Sequence, residues 1–534
     1  MHEAVAPKSP SSKLSVTALA GTPAIAEVSL VIASALLLIL SFPNFELWPL
    51  AWIGLAPLLL VVGRPMRARR AFLLGWLWGA IFFYGTCWWL TYPMIYYAHI
   101  SRWLAYPLLV LPIALVAVFP GGFSLLLSRL VTRFGLAAIF AAPLLWITCE
   151  WGRYMLTGQL WNALGYSQAF HPFLIQSARW GGVYAVSFLL LATSASVVFG
   201  LLRADLRGLV ISFSSVLLVI LILTLGTLSG SRDQAGRGLL SIVAVQPNVP
   251  IDGPDDTERL LNRHLALSIQ GMPEVPDDVG SARLVIWPES PMNFSYSRDP
   301  HLREVVGNLA RKYSQRLHTF VLLNSLEPAA HGGEHNSALM INEEGRIVAQ
   351  YDKIRLMPFG EYVPLPHWMP GASSVRGIVG DFTPGSSYTL MPLGAFSVGV
   401  FICIEAAHPS VARSFANESA DVLINISNDG YLGPTPVMRQ HLSNAVFRAV
   451  ENDRSLIRVT NNGITARIEP DGKVSAATEG FKPAVQNWVV TPRKEKTFYT
   501  RHGDLFVYAC ALISLGLVSA TFRTVRSPTV SEGS

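Results

Sequence analysis

The sequence predicts two fold classes in one chain, an α-helical membrane bundle of about eight spans and an external α/β domain. Three observations predict it. Charge is unevenly spread: residues 24–228 carry 11 Arg, 3 Glu, 1 Asp and no Lys, 15 charges in 205 positions, whereas residues 229–503 carry 54 in 275. Only the second density approaches globular usage, roughly one charged residue in four. Apolar runs of the ~20 residues needed to cross a hydrocarbon core ~30 Å thick recur through the first region. Strand-like and helix-like stretches alternate through the second. With 51% hydrophobic and 14% charged residues among 534, the composition excludes a disordered, collagenous or disulfide-rich protein. A net charge of +6 is too diffuse to argue for nucleic acid.

In chain order, a cytoplasmic tail (1–23) precedes a seven-span region (24–228). Its apolar runs lie at about 25–43, 46–63, 71–92, 103–128, 136–152, 174–202 and 208–228. The first continues into Ser41-Phe-Pro-Asn-Phe45 and more apolar sequence, not into a small-residue cleavage signature, so it reads as a retained anchor. An eighth run, 504–522, follows the polar domain (229–503), and 523–534 reads as a second cytoplasmic tail. Basic residues gather on the cytoplasmic side of spans. With the N-terminus inside, the inner segments hold Lys8, Lys13, Arg64, Arg67, Arg69, Arg70, Arg129, Arg133, Arg203, Arg207, Arg523 and Arg526, while the outer loops hold only Arg102 and Arg153. Seven crossings then deliver the polar domain to the outer face.

Within that domain, β-branched runs at 239–245, 283–287, 319–323, 338–342, 396–403, 421–426, 456–460 and 466–468 alternate with helical stretches at 255–270, 300–317, 409–417 and 435–452. An α/β sandwich is expected. Asn342-Glu-Glu-Gly345 and Glu469-Pro-Asp-Gly472 have the residues of hairpin turns, with Gly supplying positive φ.

Cys87, Cys149 and Cys510 fall in expected spans, which leaves Cys403 as the only cysteine of the outer domain, without an intradomain partner. On position alone it reads as a small buried hydrophobe. Its context reads differently: Ser397-Val-Gly-Val-Phe-Ile-Cys-Ile-Glu405 is an apolar strand that ends in Cys before a helix start, and strand-to-helix corners display nucleophiles. Glu289 closes Leu284-Val-Ile-Trp-Pro-Glu, where Pro288 stops the strand. Lys353, one of eight lysines, follows another strand; alone it would be an ordinary solvated group. Together they form a coherent set. A carboxylate can take a thiol proton, the thiolate can attack an acyl carbon, and an ammonium can stabilise the oxyanion.

Trp287-Pro-Glu289, Asn336-Ser-Ala338, Tyr351-Asp-Lys-Ile-Arg-Leu-Met-Pro-Phe-Gly-Glu-Tyr-Val-Pro364, Cys403-Ile-Glu405, Ser427-Asn-Asp429, Arg448-Ala-Val-Glu451 and Thr460-Asn-Asn-Gly463 resemble, in order, the nitrilase superfamily. With Leu47-Trp-Pro-Leu-Ala-Trp-Ile-Gly-Leu-Ala-Pro57, Gly165-Tyr-Ser-Gln168 and the eight runs, the chain more closely resembles the membrane-embedded apolipoprotein N-acyltransferase family. The resemblance implies a nitrilase-like αββα sandwich on the periplasmic side of a bacterial inner membrane. It also implies acyl transfer from a phospholipid, through a cysteine thioester, to the α-amino group of a diacylglyceryl-cysteine on an apolipoprotein, with no cofactor or metal. By the same resemblance Glu289 matches the general base, Lys353 the oxyanion stabiliser and Cys403 the nucleophile. Glu361 matches a second active-site acid, Glu405 the acid two after the nucleophile, and the Ile404 N–H an oxyanion donor. Ile404, Tyr431 and Leu432 depart from the family pattern, and the 251–256 loop lacks an expected Trp.

Other candidates have plainer readings. His331-Gly-Gly-Glu-His335 pairs two histidines, but its glycines argue for an exposed loop over a zinc site. Glu150 and Arg153 read as an interfacial ion pair, or as groups that meet a zwitterionic head group. Trp88, Trp89, Tyr92, Tyr96 and Tyr97 read as interfacial anchors, or as the lining of a lipid-chain route. The alternative functions are a membrane-tethered amidase or nitrilase acting on an external C–N substrate, and a noncatalytic scaffold. Seven spans disfavour a merely tethered hydrolase, since one would anchor it.

Overall fold

A computed structural model describes residues 24–228, 239–250, 257–272, 282–289, 294–315, 317–330, 332–363 and 382–522. Both expected tails, the 251–256 loop, His331 and Pro364 lie outside these residues.

Among the described residues, five helical stretches are long and apolar enough to cross a membrane: Ala24–Ser41, Ala68–Tyr96, Arg102–Phe134, Ala178–Arg203 and Leu206–Leu228. The other three expected spans are shorter helices. The 46–63 run divides into a 3-10 turn, Trp48–Trp52, and a seven-residue helix, Ala56–Val62. The 136–152 run becomes a 3-10 turn, Leu136–Ala141, followed by the 16-residue Ala142–Thr157 helix, and the last run is the 16-residue Leu505–Ala520 helix. Pro49, Pro57 and Pro143 each sit in the first turn of a new segment, where a missing N–H costs nothing but an earlier helix cannot continue. Apolarity alone does not reveal such breaks. At 1.5 Å per residue, 16 residues reach ~24 Å.

Ion pairs fix the first helix at both ends. Glu27, in its first turn, meets Arg70 at 2.5 Å, and Glu46, just beyond its last turn, meets Arg439 of the α/β domain at 2.5 Å. The Arg439 guanidinium also lies 3.8 Å from the Phe170 ring centre. Elsewhere Arg129 donates to Thr521 Oγ1 (2.8 Å) and lies over the Phe522 ring, so the end of the last helix adjoins the Arg129–Arg133 end of Val118–Phe134.

The α/β domain contains β1 (Leu240–Gln246), β2 (Ala282–Ile286), β3 (His318–Pro328), β4 (Glu334–Ile341), β5 (Ile347–Asp352), β6 (Met391–Leu393), β7 (Phe396–Ile402), β8 (Val422–Ser427), β9 (Leu456–Thr460), β10 (Ala466–Ile468), β11 (Val474–Ser475) and β12 (Ala484–Val490). They form two six-stranded sheets, ordered β12-β1-β2-β3-β4-β5 and β11-β10-β9-β8-β7-β6. Each has a parallel centre, β1-β2-β3 and β7-β8-β9, flanked by antiparallel strands. Side chains alternate between two buried faces, as a covered sheet requires. Ile242, Ala244, Leu284, Ile286 and Leu322 face one apolar core with Val398, Val400 and Ile402 of the second sheet. Val243, Val245, Val285, Val321 and Leu323 face the other with Leu261, Leu302 and Val306 of helices Thr257–Gln270 and Pro300–Tyr313. Helices Pro409–Asn417 and Val437–Asn452 cover the second sheet, completing the αββα layering. Both expected turns form, joining β4 to β5 and β10 to β11, with Gly345 at φ 75° and Gly472 at φ 92°.

Candidate active site

Three strand ends converge, as ligand sites of α/β folds do at carboxyl edges. Glu289 lies three residues past β2, Lys353 directly follows β5, and Cys403 follows β7. The sequence-predicted Glu361 joins them. Lys353 Nζ lies 2.9 Å from Glu361 Oε1 and 3.4 Å from Glu289 Oε1. Asn336 Nδ2 donates to both carboxylates, at 2.9 Å to Glu289 and 2.7 Å to Glu361. Backbone donors complete the set: Asn428 N–H to Glu289 Oε2 (3.0 Å) and Met357 N–H to Glu361 Oε2 (2.7 Å). Burial works against the Lys353 charge, but Glu289 and Glu361 outweigh it and hold the ammonium above its ordinary value.

Cys403 has φ 51°, left-handed backbone that a side chain disfavours, and it opens a 3-10 turn, Cys403–Ala407. Such strain persists where surrounding contacts over-determine it. Burial pushes the thiol pKa up, Glu289 adds to that, and Lys353 only partly offsets both. The resting group is therefore a thiol whose proton must be removed.

Glu405 does not face the other acids. Fully buried, it accepts from Tyr351 OH (2.8 Å), Ile354 N–H (2.9 Å), Arg355 N–H (3.0 Å) and Ile402 N–H (2.8 Å), tying the Cys403 corner to the segment that carries Lys353. Ile404 is buried in the same turn. Sequence reasoning assigned no role to Asn336, Asn428 or His441. The first two stand in the resembling motifs Asn336-Ser-Ala338 and Ser427-Asn-Asp429, the only sequence signal for them. His441 lies in Val437–Asn452, with Nε2 2.9 Å from the Cys403 carbonyl oxygen and Nδ1 3.0 Å from Asp429 Oδ1.

Several other readings change. Glu334 and His335 begin β4, and His335 Nδ1 meets the Thr383 carbonyl at 2.7 Å, so this part of the expected loop is strand. Glu150 and Arg153 are both buried, and each charge acts on the other. Glu150 accepts from Trp146 Nε1 (3.2 Å) and Leu164 N–H (2.9 Å), and Arg153 lies 5.2 Å from the Phe83 ring centre. Both line a cavity of about 20 Å³. The aromatic cluster divides. Trp89 is buried and donates to Gln440 Oε1 (3.1 Å), which also receives Trp161 Nε1 (2.9 Å). Tyr92 stacks on Tyr96 (4.2 Å), and Tyr97 reaches Tyr431 (5.6 Å) and donates to the Gly430 carbonyl (3.4 Å).

This two-sheet αββα domain is of the carbon-nitrogen hydrolase class: the Carbon-nitrogen hydrolase family model matches residues 242–485. The helical region is matched over 34–196 by the model described as Apolipoprotein N-acyltransferase N-terminal domain. Apolipoprotein N-acyltransferase of Geobacter metallireducens is 32% identical over 506 residues, covering 92% of this chain and 94% of that one. The protein of that name from Pseudomonas putida is 31% identical over 499 residues, covering 91% and 95%. A solved structure, Saccharomyces cerevisiae Nit3 of the nitrilase superfamily, is similar over 52% of this chain and 97% of its own, with 20% identity and a TM-score of 0.37. The chain belongs to the apolipoprotein N-acyltransferase family.

Proposed function

We propose that the chain N-acylates apolipoproteins by carrying an acyl group from a phospholipid on Cys403. The observation that carries this is the Glu289–Lys353–Glu361 cluster beside a cysteine held in left-handed backbone, in a domain locked to an apolar helical bundle. In the first half-reaction Glu289 takes the thiol proton and the sulfur attacks the ester carbonyl carbon. The ammonium of Lys353 and the Ile404 N–H stabilise the resulting oxyanion. As the C–O bond breaks, the lysophospholipid oxygen leaves with the proton returned by Glu289, and a thioester remains. In the second, the neutral α-amine of diacylglyceryl-cysteine attacks the thioester. Glu289 takes a proton from the nitrogen and returns it to the departing sulfur. An amide replaces a thioester, so the second step runs forward. No metal or cofactor enters either step.

The eight-span reading, with the α/β domain on the periplasmic side of the inner membrane, belongs to the same proposal. Supporting it, Glu27 meets Arg70 at one end of the first helix while Glu46 meets Arg439 of the α/β domain at the other. A pulse of acyl-labelled phospholipid without acceptor should load one acyl group on Cys403, seen as a hydroxylamine-sensitive adduct in intact mass. A diacylglyceryl-cysteine peptide added later should discharge it as N-acyl product. Label that appears only with both substrates present would point to direct transfer. Discharge by water as fast as by peptide would point to the hydrolase.

A further inference from the structure

Behind the nucleophile runs a buried polar chain that the two half-reactions do not use. Arg458 Nη2 lies 2.8 Å from Asp429 Oδ2, Asp429 Oδ1 lies 3.0 Å from His441 Nδ1, and His441 Nε2 lies 2.9 Å from the Cys403 carbonyl oxygen. All three side chains are at most 3% exposed. Ser427 Oγ also donates to Asp429 (2.9 Å), and Arg458 Nη2 lies 3.1 Å from His441 Nδ1. Facing a carbonyl oxygen at that distance, Nε2 must carry a proton, whether Nδ1 donates to Asp429 or accepts from Arg458. Asn425 Nδ2 approaches the same carbonyl at 3.4 Å.

That carbonyl belongs to the Cys403–Ile404 peptide, whose N–H is the Ile404 oxyanion donor. A trans peptide sets its N–H opposite its C=O. Fixing the oxygen on the His441 side therefore turns the N–H away from it, and drawing electron density toward the oxygen strengthens the N–H as a donor. Ile404 stands in the first turn of its helix, where leading N–H groups have no intrahelical acceptor. The membrane bundle holds the imidazole as well: the Trp161 ring packs 5.6 Å from it, and the adjacent Gln440 binds Trp89 and Trp161.

The geometry points to His441 as a positioning residue that orients and polarises the Cys403–Ile404 peptide for oxyanion stabilisation, a role that rests on the proposed nucleophile and oxyanion donor. Two reactions of one thiol test it. Alkylation by iodoacetamide displaces iodide at a saturated carbon and forms no oxyanion. Acyl loading from phospholipid forms one. His441→Phe keeps an aromatic ring beside Trp161 but removes the donor, His441→Gln places an amide N–H near the Nε2 position, and His441→Asn is one methylene too short to reach the carbonyl.

In single turnover, His441→Phe should slow acyl loading by ~10- to 100-fold. Half-saturation by phospholipid and the alkylation rate should both stay within about twofold of wild type. His441→Gln should recover most of the loading and His441→Asn little, and that pair carries the comparison if the Phe variant does not fold. Parallel losses in loading and alkylation, wild-type loading in His441→Phe, or equal loading by the Gln and Asn variants would overturn the role. Failure of wild-type protein to load Cys403 would instead overturn the function beneath it.

Discussion

The Lys353 ammonium lies between two carboxylates that share the Asn336 amide, so its removal does more than delete an oxyanion donor. Lys353→Met would leave Glu289 and Glu361 facing each other without a counter-charge. Acyl loading should fall by at least ~10², and iodoacetamide alkylation of Cys403 should fall with it. A loss of loading with alkylation intact would confine Lys353 to the oxyanion. Glu289→Gln keeps the shape but cannot accept the thiol proton, so both half-reactions should slow by ~10²–10⁴. Its alkylation rate should also climb with pH into the alkaline range. Burial raises the thiol pKa, and the reactive thiolate fraction then grows only as pH rises toward that value. A pH-independent alkylation rate in this variant would contradict the assignment. Glu289 and Cys403 stood out in the sequence because each follows an apolar strand; Lys353, after the half-exposed β5, stood out only beside them and through the family resemblance. Asn336 and His441 did not. A polar residue inside a strand or helix acquires meaning only when distant segments meet.

Among elements, the corner after β7 depends on Glu405, a buried carboxylate with four donors. In Glu405→Gln an NH₂ group must face an N–H or a hydroxyl that formerly donated to oxygen. Breaking a buried hydrogen-bonded charge costs on the order of 3 kcal/mol. The variant should therefore melt at lower temperature and lose acyl loading together, and loss of loading with an unchanged melting point would give Glu405 a direct chemical part. The Thr257–Gln270 helix carries a second dependence. Burial pushes His264 down to about 4, so the folded chain excludes a proton that the unfolded chain binds below its ordinary value of about 6.5. Stability should then rise with pH across that window by up to ~1.4 kcal/mol per unit for this histidine. The melting temperature should drop between pH 6.5 and 4.5, and less steeply in His264→Phe; an identical slope in both would remove His264 as a cause. Most strands were legible from their β-branched runs. The 484–490 strand was not, because it pairs at a sheet edge and leaves most of its side chains partly exposed, without an apolar run.

For the whole molecule, the open question is which side of the membrane each part occupies. Apolar length marked the expected spans, yet helix breaks at Pro49, Pro57 and Pro143 shortened two of them, 46–63 and 136–152, and the 504–522 run forms only a 16-residue helix. Twelve inner against two outer basic residues predict the orientation. The contacts between domain and bundle were not legible in the sequence. Gln440 binds Trp89 and Trp161, and Arg448 Nη2 meets Glu451 at 2.9 Å and Tyr166 at 3.2 Å, with Glu451 also accepting the Val183 N–H. These fix the α/β domain to one end of the bundle, so the sidedness of one loop determines that of the whole. A Cys403→Ser background, whose remaining cysteines lie in the apolar helices, allows a direct test with an impermeant thiol reagent on spheroplasts. Lys312→Cys, exposed on the Pro300–Tyr313 helix, should label in intact spheroplasts. Arg67→Cys, exposed at the turn before Ala68–Cys87, should label only after the membrane is opened. The reverse pattern would invert the molecule and place the acyl acceptor in the cytoplasm. Labelling of both from outside would mean that the chain between them crosses an even number of times and that Arg67 is not on the inner side, which the basic-residue asymmetry forbids. An odd number of crossings between residues 67 and 312 is thus the quantity measured, and it requires the short Ala142–Thr157 helix to cross as well, since the four long helices in that interval alone make the number even.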